Sequence, residues 1–450
     1  MLLNNFLLLQ CLMELATLLA LTAPLFITAM NIMVQGERLL CCRTTATMVA
    51  SCRLNTWEQD GVVLYHYGMH GHLTEVLFDG TRASFTYDEH SGLLHMAAIA
   101  TDRSNQRQSA KKGSHEGMPE SICSIKFKHT GPLLEQQMSS CVGIGGAVAL
   151  FEYSHDERFR MTGLQTVVDE QPLPIDLFRY DDVTGRLEQF GKFGVIYYGI
   201  DPVVTTSSMT LTKRRDNLGR ITEVHYEILR SLLFWLTIRY DVAGRVVQRH
   251  FRIDPTANTT ALEYEYDPDG QLQAVAVDGR PTWRYSYDLN GNLHLLSPGA
   301  SSHLAPLRYT SGDRLSSLGD LPYDVDADGF LCGRGNERFE YDSRGVLVRA
   351  WGGGGSTEAW SITYGYDAFG RRAWRKDQRG GFLQFFYADM SRPTRLTHVY
   401  NHTNREITAY YYDLQVKGSA LTTNLQLTLF QHLQLTTLPI LCLIARGCGA

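Results

Sequence analysis

Apolar and polar residues alternate one by one along short stretches in the middle of the chain. Two of these stretches, residues 262–266 and residues 283–287, carry large apolar side chains at every second position. Their apolar residues are Leu262, Tyr264 and Tyr266, and then Trp283, Tyr285 and Tyr287. A period of two with many aromatic residues is typical of β-strands that bury one face. The pattern therefore predicts an all-β protein.

Many of these stretches end in the same motif, Tyr-Asp-x-x-Gly. The motif has identical spacing at Tyr240-Asp241…Gly244, Tyr266-Asp267…Gly270, Tyr287-Asp288…Gly291, Tyr341-Asp342…Gly345 and Tyr366-Asp367…Gly370. Looser copies, with one or two extra residues before the glycine, are Tyr87-Asp88…Gly92, Tyr180-Asp181…Gly185 and Tyr323-Asp324…Gly329. The recurrence of the motif at one spacing argues against chance and identifies an internal repeat.

Each part of the motif has a physical role in a hairpin turn. The aspartate carboxylate can accept hydrogen bonds from backbone N–H groups two residues on, which starts a turn. The glycine allows a positive φ at little steric cost. A single hairpin cannot bury its aromatic face, so the antiparallel hairpins are expected to stack into one continuous sheet. With the tyrosines facing inward, such a sheet would curl into a large barrel-like shell.

At these residues the sequence resembles the YD-repeat (Rhs-type) superfamily and, within it, the vertebrate teneurins. The resemblance extends to residues 130–137, 172–177, 189–193, 283–291 and 383–389. It covers roughly residues 56–415. The chain is therefore predicted to have three segments: an apolar N-terminal extension (1–55), an incomplete YD-repeat β-shell (56–415), and a tail rich in Leu, Thr and Gln (416–450).

The resemblance implies part of the ectodomain of a type II single-pass plasma-membrane protein, folded as a spiralling β-shell on the extracellular side. It implies roles in cell–cell adhesion, signal transduction, axon guidance and synapse organisation. The partners that it implies are latrophilin-type adhesion receptors and other teneurins, bound homophilically as a homo-dimer. The membrane would be reached through the parent protein's transmembrane segment. The sequence leaves open whether Leu15 to Val34, which carries no charge, is a membrane segment or a buried or artefactual extension.

Charge and cysteine content argue against several classes of ligand and of stabilising bond. The formal net charge of −5 in 450 residues gives no electrostatic reason to expect nucleic-acid binding. Of the nine cysteines, only Cys123, Cys141 and Cys332 lie in the middle of the chain, and no Cys-x-x-Cys pair occurs. We therefore expect packing and hydrogen bonds, rather than disulfides, to hold the central body together, and no metal or cofactor.

Other candidate sites are weak. Residues 324–329 imitate the start of an EF-hand loop, but Gly335 stands where a bidentate glutamate is needed. His66, His70 and His72 have no carboxylate or thiol at a useful spacing for zinc. Residues 143–146 predict a flexible glycine-rich loop rather than a phosphate site. Residues 371–376 mix basic and aromatic side chains, and a solvated strand is favoured over a polyanion-binding one.

No hydrolase motif occurs, so the sequence predicts a protein that is not an enzyme. Two N-glycosylation sequons are predicted sites of modification, Asn258-Thr259-Thr260 and Asn401-His402-Thr403. Two other functions are alternatives to adhesion. A toxin-encapsulating Rhs-type shell would need a closing Asp-Pro-x-x-Gly terminator with catalytic acids near it. A carbohydrate-binding or carbohydrate-processing protein is suggested only by the many aromatic residues.

Overall fold

A computed structural model describes residues 41–44, 47–53, 62–101, 122–198, 201–253, 258–298, 305–353 and 359–412. These residues form 34 β-strands, and no helix occurs among them. The predicted all-β class is confirmed. In the described part of the chain, no helix is long and apolar enough to cross a membrane. The uncharged stretch Leu15 to Val34 and the tail of residues 416–450 lie outside the described residues.

The strands follow one another closely along the chain. The first seventeen are β1 (Cys41–Thr44), β2 (Thr47–Arg53), β3 (Val62–Tyr67), β4 (Leu73–Phe78), β5 (Thr81–Tyr87), β6 (Leu94–Thr101), β7 (Ile122–Thr130), β8 (Leu133–Val142), β9 (Ala149–His155), β10 (Met161–Val168), β11 (Gln171–Pro172), β12 (Asp176–Tyr180), β13 (Leu187–Phe190), β14 (Phe193–Tyr198), β15 (Asp201–Thr205), β16 (Met209–Arg215) and β17 (Ile221–Ile228). The others are β18 (Ser231–Tyr240), β19 (Val246–Arg252), β20 (Thr260–Tyr266), β21 (Leu272–Val277), β22 (Arg280–Tyr287), β23 (Leu293–Pro298), β24 (Ala305–Tyr309), β25 (Leu315–Leu318), β26 (Leu321–Val325), β27 (Leu331–Arg334), β28 (Glu337–Tyr341), β29 (Leu347–Gly352), β30 (Trp360–Tyr366), β31 (Arg372–Asp377), β32 (Phe382–Phe386), β33 (His398–Asn401) and β34 (Glu406–Ala409).

The topology is a long antiparallel meander. Nearly every strand pairs with the strand before it and the strand after it, as in the ladder from β20 through β21 to β22. The short β11 pairs only with β10, and β10 also pairs with β12, for example Gly163 with Leu177. Because neighbouring strands are antiparallel, successive turns lie on opposite edges of the sheet. The Tyr-Asp turns lie on one edge, which we call the YD edge.

The last strands of the meander pack against the first ones. Ala373, Trp374 and Phe382 share a buried cluster with residues of β3 to β8. Phe386 and Tyr400 share another with Phe151 and other residues of β9 and β10. The sheet therefore curls back on itself, so that β31 to β33 form a second layer over β3 to β10.

The middle of the meander is a single layer. Across the described residues of β18 to β27, Ile238, Val275 and Leu307 are the buried apolar side chains. Tyr264 and Tyr266 on β20 are half-buried. Glu263, just before Tyr264, and Glu265, between the two tyrosines, are exposed. The alternation that the sequence showed therefore separates a half-buried face from an exposed one.

Candidate functional site

The turn after each of the five tightly spaced Tyr-Asp pairs has one geometry. In the copy at Asp241, the backbone N–H of Asp241 donates to the carbonyl of Arg245 at 2.9 Å, and that of Gly244 donates to the carbonyl of Asp241 at 3.1 Å. The Asp241 carboxylate accepts the N–H of Arg245 at 2.8 Å. The glycine, Gly244, has a φ of 86°, which lies in a backbone region that residues with a Cβ rarely adopt. The same backbone pattern forms at Asp267, Asp288, Asp342 and Asp367.

Two looser copies are longer versions of this turn. The N–H of Asp181 donates to the carbonyl of Arg186 at 2.8 Å, one residue further on than in the tight turns. Gly185 closes the turn by donating to the carbonyl of Asp181 at 2.9 Å, with a φ of 70°. The side chain of Thr184 fills the added position by donating to the Asp181 carboxylate. The turn of Asp88 and Gly92 is built in the same way.

For the third looser copy, the sequence motif predicted the wrong aspartate as the start of the turn. Asp324 lies within β26, and Asp326 begins the turn instead. Asp326 accepts the N–H of Phe330 at 2.8 Å on its carboxylate, and the N–H of Gly329 at 3.1 Å on its carbonyl. The turn therefore has the tight spacing, with Val325 in the tyrosine position. The position of the turn is therefore set by the aspartate three residues before the glycine, and not by the Tyr-Asp pair two residues earlier.

Most motif tyrosines reach back to the preceding repeat. The hydroxyl of Tyr266 donates to the carbonyl of Val246 at 2.7 Å, five residues after Asp241. The acceptor is the corresponding residue in the other pairs, which are Tyr180 with Met161, Tyr240 with Ile221, Tyr287 with Leu272, and Tyr366 with Leu347. Burial raises the pKa of Tyr266, and it raises that of Tyr287 to about 12. Both hydroxyls therefore remain protonated donors at neutral pH.

An arginine directly after the turn glycine completes the link between repeats. The Nε of Arg245 lies 2.7 Å from the Asp241 carboxylate, and its guanidinium lies 4.6 Å from the centre of the Tyr266 ring. The same arrangement joins Asp216, Arg220 and Tyr240, and also Asp367, Arg371 and Tyr387. It joins Asp156, Arg160 and Tyr180 as well, although there Phe159, with a φ of 62°, stands in place of the glycine. The hydrogen bond from the Arg245 side chain lowers the pKa of Asp241. The Tyr-Asp-x-x-Gly motif as defined from the sequence left out this arginine, although its recurrence after the glycine was a visible signal.

The two layers are joined by hydrogen bonds from side chains to backbone atoms or to carboxylates. Gln384 on β32 is 1% exposed, and its amide accepts the N–H of Ala147 at 2.8 Å and donates to the carbonyl of Ala147 at 3.0 Å. Other contacts across the layers are Gln137 to the carbonyl of Tyr387, Tyr153 to the carbonyl of Ala388, Tyr400 to Asp169, and Tyr411 to Asp176. No sequence pattern identified these residues.

A disulfide joins Cys123 and Cys141, which face each other across β7 and β8. The expectation that no disulfide supports the central body was therefore wrong. The two residues are 18 apart in sequence, and only the register of the hairpin brings them together. The glycine-rich residues 143–146 follow directly, and they form a packed loop in which Ile144 is 6% exposed.

Both sequons lie on the edge of the sheet opposite the YD edge. Asn258 is exposed just before β20, and Asn401 ends β33 with partial exposure. The Asn401 side-chain oxygen accepts the backbone N–H of Thr403 at 3.0 Å.

The remaining candidates take part in local contacts. The ring of His66 lies 3.1 Å from Glu75, and the ring of His72 stacks on Tyr87 with centroids 4.6 Å apart, while His70 is exposed in the turn. In the basic run, Arg371 pairs with Asp367 and Trp374 is buried. Over the described ranges, no group of three or more His, Cys, Asp or Glu side chains is placed to hold a metal ion.

The stacked turns, the tyrosine and arginine links and the two-layer packing define a YD-repeat β-shell. The chain belongs to the teneurin YD-shell family, whose model, described as "Teneurin YD-shell", matches residues 48–423. The resemblance seen in the sequence is confirmed. The predicted segment boundaries at residues 55 and 415 remain predictions.

Curated relatives show how much of a teneurin this chain represents. It is 50% identical over 353 residues to Teneurin-4 of Homo sapiens and to Teneurin-3 of Danio rerio, covering 78% of this chain. It is 24% identical over 349 residues to Teneurin-m of Drosophila melanogaster. The chain spans 12% of the length of each of these relatives. The crystal structure of TcdB2-TccC3-TEV superposes with a TM-score of 0.49 and 10% identity, over 82% of this chain and 22% of that one.

Proposed function

We propose that this chain forms part of the extracellular wall of a teneurin-type cell-surface protein and acts by surface contact. Its roles would be cell–cell adhesion and signal transduction in axon guidance and synapse organisation. Its partners would be latrophilin-type adhesion receptors and other teneurins, bound homophilically as a homo-dimer. The observation that carries the proposal is the family match over residues 48–423.

We further propose that the protein is not an enzyme and needs no cofactor, because its repeated polar residues already form hydrogen bonds that stabilise the fold. The Asp241 carboxylate holds its own turn and Arg245, and the Tyr266 hydroxyl is bonded to Val246. Asp367 is 4% exposed, and burial raises the pKa of its carboxyl even though Arg371 opposes the shift. Residues committed in this way are poor candidates for acid–base chemistry on a substrate.

The proposed location is the extracellular side of the plasma membrane, with the parent protein's transmembrane segment as the anchor. Disulfides form and persist in oxidising compartments, so the bond between Cys123 and Cys141 supports a secreted or surface-exposed domain. The partial exposure of Asn401 and the exposure of Asn258 would allow glycosylation during export.

The proposal is tested on cells that display the shell from a membrane tether, completed with the flanking segments of its parent. We expect these cells to cluster with one another and to bind a soluble latrophilin ectodomain, whereas mock-transfected cells do neither. Charge reversal at Glu263, Glu265 or Arg284, all exposed, should preserve display, and variants that touch the partner should lower clustering. Normal display of the wild-type shell without clustering or ectodomain binding would reject adhesion.

A further inference from the structure

The disulfide between Cys123 and Cys141 lies beside the loop that receives the last strands of the chain. We call residues 143–148, which follow β8, the docking loop. The N–H of Gly146 donates to the carbonyl of Cys141 at 3.2 Å. A Cβ at Gly146 would lie 2.7 Å from that carbonyl oxygen and 3.3 Å from the side-chain oxygen of Gln384. The docking loop is therefore held tightly between the disulfide-bonded strand and β32.

The other side of the docking loop contacts the second layer. Lys376 on β31 donates from its Nζ to the carbonyl of Ile144 at 2.7 Å. Gln384 makes two hydrogen bonds to the backbone of Ala147. The side chain of Ile144 belongs to the same buried cluster as both disulfide cysteines, Trp374 and Phe382. The positions of β31 and β32 relative to the first layer therefore depend on hydrogen bonds to the backbone of the docking loop as well as on apolar burial.

We propose that the disulfide and the docking loop form a redox-responsive latch for the second layer. A dithiol reductant would attack one sulfur as a thiolate and form a mixed disulfide, and its second thiol would then displace the protein thiol. The dithiol becomes a disulfide, while Cys123 and Cys141 take up two electrons and two protons as free thiols. Freed at the end of β8, the docking loop loses its fixed backbone positions, and β31 and β32 are released from the first layer.

The latch works in both directions. Cys123 and Cys141 are each 4% exposed, so a reductant reaches them only when the docking loop lifts. Contacts from Lys376 and Gln384 hold that loop down, and they therefore protect the disulfide. Because the reductant attacks only when the loop is open, weakening either contact raises the population of the open loop and speeds reduction in proportion.

The forward arm of the test uses the full chain, folded first and then exposed to dithiothreitol. Hydrogen exchange is followed in β32, with β17 as an internal reference far from the latch. We expect exchange in β32 to accelerate roughly tenfold on reduction, a typical effect between coupled sites, while β17 is unchanged. Equal exchange in β32 before and after reduction, or an equal rise in both strands, overturns the proposal.

The reverse arm measures how fast the disulfide is reduced. Lys376→Met keeps the length of the side chain but removes its hydrogen bond to Ile144. Lys126→Met is the matched control, because Lys126 lies on β7 with an exposed side chain. We expect trapping of both thiols by alkylation, read by mass spectrometry, to be roughly tenfold faster in Lys376→Met, because losing one charged hydrogen bond raises the population of the open loop by about that factor. A rate equal to those of the wild type and the control would show that the layers do not protect the disulfide.

Discussion

The hydroxyl of Tyr266 is hydrogen-bonded to the carbonyl of Val246 at 2.7 Å, in the strand that starts directly after the preceding turn. The ring of the same tyrosine lies under Arg245, which is itself paired with Asp241. Tyr266 therefore contacts the previous repeat with both its ring and its hydroxyl. This relationship recurs along the meander and joins one hairpin to the next.

Removing only the hydroxyl of Tyr266 should lower the free energy of unfolding less than removing the whole side chain. Tyr266→Phe leaves the Val246 carbonyl without its partner, and we expect a loss of about 1 kcal/mol in the free energy of unfolding. Tyr266→Ala also removes the packing against Arg245, and we expect a loss of about 3 kcal/mol together with reduced surface display. Denaturant titration of the variants provides the measurement. Glu265→Ala, on the exposed face, is the control, and normal stability of Tyr266→Ala would contradict the half-buried assignment.

The contacts within a repeat could be predicted from the sequence because they are local. Asp241 and Gly244 act on a turn of a few residues, so their chemistry is visible in the motif itself. The arginine link was also local, and it was missed because the motif was read as ending at the glycine. The misplaced copy at Asp324 shows the limit of such patterns, since Asp326 satisfies the same turn with a valine before it.

The contacts between layers could not be predicted in this way. Gln384 and Ala147 are separated by 237 residues, and nothing near either one marks it as a partner of the other. Their meeting depends on how far the whole sheet curls, which is the accumulated effect of many small strand twists. The disulfide was missed for a related reason, because only the register of β7 and β8 places Cys123 opposite Cys141.

Gln384 should be essential to the layer contact. Gln384→Leu keeps a similar volume but leaves the N–H and carbonyl of Ala147 without those partners in a buried place. We expect a loss of about 2–4 kcal/mol in the free energy of unfolding, since two polar groups lose their partners. Gln248→Leu is the control, because that amide reaches Glu263 at 3.4 Å on the exposed side of the sheet. Comparable stability of the two variants would show that packing alone holds the layers.

Acid should weaken the second layer through His398. Burial lowers the pKa of this imidazole to about 4, and it lies against Phe151 with centroids 5.4 Å apart. The unfolded chain, with a histidine pKa near ~6.5, binds the proton more readily, so stability falls as the pH drops from about 6.5 towards about 4. The loss should approach about 3 kcal/mol at the lower limit.

His398→Gln isolates this effect from the other titrating groups. Asp176 acts in the opposite direction, because burial raises the pKa of its carboxyl and protonation then favours the folded state on acidification. We expect the wild type to lose more stability than His398→Gln between pH 7.5 and pH 4.5, as followed by denaturant titration at each pH. Parallel losses in the two proteins would exclude His398 as the cause.

Asn401 should carry an N-glycan when the chain is secreted, because its sequon lies in a partly exposed turn between β33 and β34. Thr403→Ala should abolish the modification, while Thr403→Ser retains the sequon and should preserve it. Mass spectrometry of the peptide that contains Asn401, with and without glycosidase treatment, gives the occupancy. An unmodified peptide from secreted wild-type material would reject the site.

The link from each Tyr-Asp turn to the next also has a mechanical consequence. A hairpin bonded only to its neighbours can be peeled away under tension one unit at a time, with a modest force for each step. The contact between β3–β10 and β31–β33 joins units that are far apart along the chain, so this contact must separate before the strands between β10 and β31 can be peeled apart. The curled sheet is therefore expected to bear load as one body up to a single yield point, and to lengthen in small increments beyond it.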